Sequence, residues 1–234
     1  DYEKVYKQSI ENPEKFWGDI AKELEWFEPW KKVLKWEQPW MGGASWFVGA
    51  RCNITYNCLD RHVQTWRRNK AAIIWVGEDG SERVITYNEL LREVNKAANM
   101  LKSLGVGKGD RVTIYLPRIP EQIISMLACA RLGAVHSLVY SGFSAAALQS
   151  RIHDAEAKVV ITADCGYQRA KCIPLKNIVD EAVKDCPSVE KVIVVRRAEA
   201  NSELRTPNPE LYIDWHEAME KASAKFEAVQ MDAE

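Results

Sequence analysis

The chain has 234 residues and a formal net charge of −1, from 32 Lys and Arg against 33 Asp and Glu. So even a balance gives no electrostatic case for nucleic acid or for an anionic membrane surface. No apolar run is long enough to span a bilayer, and the length suits one large domain or two small ones.

The first residues contain no signal-peptide-like apolar stretch, which leads us to expect a cytoplasmic protein. The six cysteines, Cys52, Cys58, Cys129, Cys165, Cys172 and Cys186, include no C-x-x-C pair. A zinc site needs tighter ligand pairs, so reduced, mostly buried thiols are expected.

Residues 1–50 carry Trp17, Trp26, Trp30, Trp36, Trp40 and Trp46. Asn12-Pro13-Glu14 reads as a helix start, with Phe16, Trp17, Ile20 and Leu24 at helical spacing. Pro29, Pro39 and Gly42-Gly43 then break regularity. Rings this dense could stack on bases. Without basic residues between them they read better as apolar anchors docking an irregular segment.

Asn57 is placed to cap a helix with Leu59, Val63 and Trp66; His62 on it reads as a surface or packing residue with no assigned role. Residues 71–76 and 83–85, joined by Glu78-Asp79-Gly80, read as a β-hairpin. Thr86-x-x-Glu89 is a capping box for a helix through Leu101 that Gly105 ends. Gly105-Val106-Gly107-Lys108-Gly109 follows a helix and opens a strand. That is the reverse of a phosphate loop, so it reads as a turn.

The chain is organised around 110–196, which reads as strand and helix in alternation. Strands are expected at 112–116, 135–140, 158–163 and 192–195. Pro120 opens the first intervening helix and Gly133 stops it; Ser144 caps the second, to about Asp154; the third runs from Pro174 through Ala182. Residues 164–171 read as a polar loop. Beyond Arg197, residues 201–209 read as a loop and Tyr212-Ile213 as a short extended piece. Asp214 caps a last helix to about Ala224, and 229–234 show no pattern. The expected fold class is α/β: a doubly wound, mostly parallel sheet at 71–234 behind a helical, Trp-rich extension at 1–70. Ligands on such sheets sit at the strands' carboxyl ends. Two loops fall there, 140–144 and 164–171.

Several strings then carry a resemblance. They are Trp46-Phe47-Val48-Gly49, Tyr56-Asn57-Cys58-Leu59-Asp60-Arg61-His62, Lys108-Gly109-Asp110-Arg111-Val112, Met126-Leu127-Ala128-Cys129-Ala130-Arg131-Leu132-Gly133-Ala134, and Ile173-Pro174-Leu175-Lys176. In order, over about 6–220, they resemble the acetyl-CoA synthetases, AMP-forming acyl-CoA ligases of the adenylate-forming superfamily. The resemblance implies that a short carboxylic acid reacts with ATP and magnesium to an acyl-adenylate and pyrophosphate. The acyl group then passes to coenzyme A. It also implies that the phosphate loop, the acid pocket and the adenylation lysine lie beyond residue 234. The 234-residue piece alone is therefore expected to be inactive, the full protein an acetate–CoA ligase.

What the resemblance implies within the chain is part of the coenzyme A site: Tyr140, Ser141, Gly142 and Phe143 in one loop, Gln168, Arg169 and Lys171 in the other. Glycine admits close backbone approach, an aromatic ring can pack on adenine, and Arg with Lys can pair with a 3′-phosphate. Ser141 replaces a commoner glycine, and Gln168 a commoner arginine that would donate bidentately to phosphate. Without the resemblance, Arg169 and Lys171 read as solvated loop charges. A non-catalytic half-domain binding coenzyme A or a partner protein is the alternative. An oxidoreductase domain is disfavoured, since no G-x-G-x-x-G follows the first strand. The acid and the oligomeric state are left open.

Overall fold

A computed structural model describes residues 1–36, 43–78, 80–169, 171–197, 208 and 210–234. Pro39, Trp40, Gly42, Asp79, Ala170 and most of the expected loop at 201–209 lie outside them.

Asp1 and Asn12 each accept a backbone N–H with the side chain, starting helices α1 (Tyr2–Glu11) and α2 (Pro13–Ala21). The aromatic stretch that follows is not irregular, as expected, but a β-hairpin. Strand β1 (Lys32–Trp36) pairs antiparallel with β2 (Ala44–Val48). Trp26, Trp30 and Phe47 pack mutually, with ring centroids 5.2–5.3 Å apart, so the tryptophans do anchor the segment. After β3 (Arg51–Cys52), residues Tyr56–Asp60 wind as a π-helical turn into α3 (Arg61–Val63). Asn57 does not cap it. Its amide exchanges two hydrogen bonds with the Glu25 backbone, at 2.8 and 2.9 Å, a tertiary contact that outcompetes the local one.

The second hairpin forms as expected from β4 (Ala71–Val76) and β5 (Glu82–Thr86). The Thr86–Glu89 capping box is present and opens α4 (Tyr87–Ser103). The turn at 105–109 has positive φ at Gly105 and Gly109 and delivers the chain to β6 (Arg111–Tyr115).

From there strands and helices alternate: α5 (Pro120–Leu132), β7 (Val135–Leu138), α6 (Ala145–Ala155) and β8 (Val159–Ala163). The expected plain loop at 164–171 is instead a small antiparallel hairpin, β9 (Gly166–Gln168) and β10 (Lys171–Ile173). Then come α7 (Leu175–Ala182), β11 (Lys191–Val195), β12 (Tyr212–Asp214), α8 (Trp215–Lys221) and β13 (Met231–Asp232).

The main sheet is wholly parallel with strand order β12-β11-β8-β6-β7, the extended piece at 212 adding a fifth strand. Every residue of β8 is buried, as a strand covered on both faces requires. Helix α4 packs on α5 and α8, and α6 on α7. The core joins Val112, Ile114, Ile161, Ile193, Leu148 and Leu101, all essentially inaccessible.

The tail, without a sequence pattern of its own, is drawn into a strand by tertiary pairing: β13 pairs with β3. A buried polar cluster holds it there. The Asn53 amide donates to the carbonyls of Ala130 and Val229, at 3.0 and 2.8 Å. Arg131, with its side chain only 3% exposed, grips Asp60 bidentately at 2.7 and 2.9 Å and donates to the Phe226 carbonyl at 2.8 Å.

The six thiols are not all reduced. Cys165 and Cys172 form a disulfide, because the β9–β10 hairpin folds residues seven apart to a Cα separation of 5.6 Å. Cys129 and Cys186 are buried as expected, whereas Cys58 is exposed. Among the described residues no helix is long and apolar enough to cross a membrane.

Candidate functional site

Strand β6 leads through α5 to β7 on one side, and β8 leads through α7 to β11 on the other. The crossovers diverge between β6 and β8, so a crevice opens outside their carboxyl ends. A cavity of about 710 Å³ occupies it. Its wall takes Pro117, Arg118 and Ile119 from beyond β6, Tyr140, Ser141 and Gly142 from beyond β7, and Gly166, Tyr167 and Gln168 from beyond β8. Arg197, beyond β11, and Trp75 and Glu78, from the β4–β5 hairpin, close the rest.

The 140–143 loop is pinned from beneath. Tyr115, fully buried at the end of β6, directs its hydroxyl proton between the carbonyls of Phe143, at 2.7 Å, and Ser141, at 3.0 Å. Burial pushes its phenol above the usual tyrosine range, which keeps the proton in place. Tyr140 is 60% exposed and meets Phe143 edge-on at 5.9 Å. Arg151 lies 4.6 Å over the Phe143 ring. A Cβ at position 142 would meet the Tyr140 ring, so any other residue there would have to turn that exposed ring aside.

The β9–β10 hairpin forms the facing wall. Arg197 stacks 5.1 Å over Tyr167 and donates to the Cys165 carbonyl at 3.2 Å. The backbone N–H of Arg169 donates to a carboxylate oxygen of Glu78, joining this hairpin to the β4–β5 hairpin across the cleft. Arg169 itself is left-handed, with φ of 51°.

The fold therefore brings Tyr140, Ser141, Gly142 and Gln168 into the lining of one cavity, Gln168 on the wall facing the other three. Phe143 sits behind Tyr140. Arg169 and Lys171 are exposed at the hairpin turn, on the rim and not in the cavity lining. Trp75, Glu78, Arg118 and Arg197 were not singled out from the sequence. The rule that pointed to the other loops applies equally after β6 and β11, and would have found the two arginines. Nothing local marks Glu78 or Trp75, whose place depends on a hairpin docking from outside the sheet. The Trp75 indole N–H donates to the Arg118 carbonyl at 2.8 Å. Among the described residues no cluster of His, Cys, Asp or Glu is arranged to hold a metal.

The sequence matches the AMP-binding enzyme family over residues 59–231, and the acetyl-coenzyme A synthetase N-terminus over residues 2–58. The chain belongs to the AMP-binding enzyme family.

Within that family it is 51% identical over its whole length to an acetyl-coenzyme A synthetase of Deinococcus radiodurans, covering 35% of that protein. It is 53% identical over 200 residues, 84% of the chain, to a 3-hydroxypropionyl-coenzyme A synthetase of Sulfurisphaera tokodaii, covering 30% of it. The solved acetoacetyl-CoA synthetase from Streptomyces lividans superposes with a TM-score of 0.84 at 29% identity, over 96% of this chain and 33% of that one. The chain thus spans about a third of the length of the curated relatives it matches.

Proposed function

We propose that the whole protein is an AMP-forming short-chain acyl-CoA ligase, acting in the cytoplasm with a small carboxylic acid, ATP, magnesium and coenzyme A. In this chain we assign residues to coenzyme A alone. The observation that carries the reading is the convergence of the 140–143 loop and the β9–β10 hairpin on one cavity. It lies at the divergence point of the sheet, in a chain akin to acetyl-coenzyme A synthetases along its full length.

The proposed roles follow from the geometry. Exposed Tyr140, propped by Phe143, offers a ring face to adenine. Gly142, lacking a Cβ, gives that ring room to lie against the loop. Arg169 and Lys171 at the rim pair with the 3′-phosphate, which stays near solvent where it loses little hydration, and Gln168 adds one neutral donor. We also propose that the extension ends near residue 70, where the α/β part begins. The junction of the two family matches at residues 58 and 59 supports a boundary in this region.

The test separates the two half-reactions. In the full-length protein Arg169→Ala should raise KM for coenzyme A roughly tenfold, since a charged hydrogen bond contributes about 1.5–3 kcal/mol and this one is solvent-screened. Acid-dependent ATP–pyrophosphate exchange should stay normal. Lys171→Ala should behave alike but more weakly. The Arg169 variant should also lose discrimination between coenzyme A and its 3′-dephospho form. Equal KM values in both variants and the parent would remove these residues from the site.

A further inference from the structure

The β9–β10 hairpin is small for the work its position implies. It has three residues per strand, and isolated two-stranded hairpins are marginal in water. Its turn end carries the paired Gln168 and Lys171 with Arg169 beyond them, and both strands supply cavity wall. Its base is packed, with Ile173 against the core and Gly166 against Leu175, whereas its exposed tip is held to the rest of the molecule by the Glu78 contact, with Arg197 stacked on Tyr167 between.

Cys165 and Cys172 join the base of this hairpin covalently. The bond links the residue before β9 to the middle of β10, directly across from Tyr167. The two sulfurs differ in access: Cys165 is 1% exposed, whereas Cys172 is an exposed residue. The other described thiols lie elsewhere, and burial pushes that of Cys129 up to about 12, which leaves it unreactive.

We propose that Cys165 and Cys172 are a reversible redox clasp on the cleft wall, closed by exchange with a small-molecule disulfide, and that closing it tightens the coenzyme A site. Exposed Cys172, as thiolate, attacks one sulfur of the small-molecule disulfide and releases the first small thiol. Cys165 then displaces the second thiol from the mixed disulfide. Two protein thiols and one small disulfide become one protein disulfide and two small thiols, so protons and electrons balance. Closure leaves less disorder for the ligand to remove on binding. The effect on affinity rests on the coenzyme A assignment above; the clasp itself does not.

The full-length protein is treated with excess reduced dithiothreitol or with oxidised glutathione, freed of reagent, and read in three ways. Alkylation followed by mass spectrometry should modify both cysteines after reduction and neither after oxidation. Trypsin should nick after Arg169 and Lys171 several-fold more slowly in the oxidised form, a readout that involves no ligand. KM for coenzyme A should be about threefold or more lower in the oxidised form, with ATP–pyrophosphate exchange unchanged. Cys172→Ser, at an exposed position, should behave as the reduced form under both treatments. Full alkylation of both cysteines after oxidation would overturn the clasp, as would equal trypsin rates in the two states. A closed, trypsin-resistant clasp with equal KM overturns the effect on affinity. If Arg169→Ala also leaves that KM unchanged, the coenzyme A assignment is at fault; if it raises KM, the clasp's influence alone fails.

Discussion

Replacing Tyr115 by Phe removes one oxygen and nothing else from a fully buried ring. That oxygen holds the 140–143 loop through the Phe143 carbonyl at 2.7 Å and the Ser141 carbonyl at 3.0 Å. One shared proton makes one strong bond and one weak one, so the net loss is that of a single hydrogen bond, about 0.5–1.5 kcal/mol. The further penalty for stranding an acceptor, about 1–3 kcal/mol, applies only where water cannot reach. Phe143 is exposed and Ser141 half-buried, so hydration recovers most of it. We therefore expect about 1 kcal/mol of destabilisation in urea unfolding. If the loop must be re-ordered to meet coenzyme A, the same energy appears as a roughly fivefold rise in KM for coenzyme A, at 1.4 kcal/mol per tenfold. Exchange of pyrophosphate into ATP should be unaltered. A KM unchanged despite the loss of stability would show that the loop does not meet the ligand. Equal falls in both half-reactions would show general damage to the sheet.

Arg131→Met should cost about 3–5 kcal/mol, because it leaves Asp60 charged and nearly buried without its partner. Combining it with Asp60→Leu should recover part of that loss in urea unfolding, and a double variant no better than Arg131→Met would refute the ion pair as the cause. The recovery stays partial because the Phe226 carbonyl loses its donor in both. Gly133 ends α5 with φ of 79°, and a Cβ there would lie 2.7 Å from the Met231 sulfur. Gly133→Ala should cost about 1–2 kcal/mol for the left-handed backbone alone. Adding Met231→Ala should relieve only the steric excess, and a fully stable Gly133→Ala protein would contradict the backbone argument.

Most of the α/β half was legible because each of its signals is local. The strand at 159–163 is a run of apolar, mostly β-branched residues, Pro120 and Gly133 bracket α5, and the Thr86–Glu89 box marks the start of α4. What escaped was pairing at long range. Asn57 has the right chemistry for a cap, but the Glu25 backbone, 32 residues earlier, claims it. Met231 and Asp232 become a strand only because Arg51 and Cys52 present an edge. Cys165 and Cys172 look unrelated until a two-sided turn folds back at Arg169. In the cavity, the loops after parallel strands were predictable from topology alone. Glu78 and Trp75 were not, because their hairpin reaches the site from outside the sheet.

The electrostatics of that cavity bear on how an anionic ligand would be received. Arg118 and Arg197 line it, Arg169 and Lys171 stand on its rim, and among the described residues Glu78 is the single acidic one of the lining. Glu78 is occupied, since its carboxylate accepts the Arg169 backbone N–H. A phosphate arriving at the Arg169 side chain therefore approaches a carboxylate that shares the same residue. Like charges so placed raise the cost of binding unless the ligand displaces the contact or Glu78 holds the turn in a geometry the ligand needs. Glu78→Gln separates these. It keeps an acceptor oxygen for the Arg169 N–H but removes the charge. If repulsion dominates, the variant binds coenzyme A more tightly, and the gain shrinks as salt rises. If the hydrogen bond positions the turn, Glu78→Gln is close to neutral while Glu78→Ala, which loses the acceptor, weakens binding. The close contact between the two hairpins favours the second outcome, and a salt-dependent gain in Glu78→Gln would refute it.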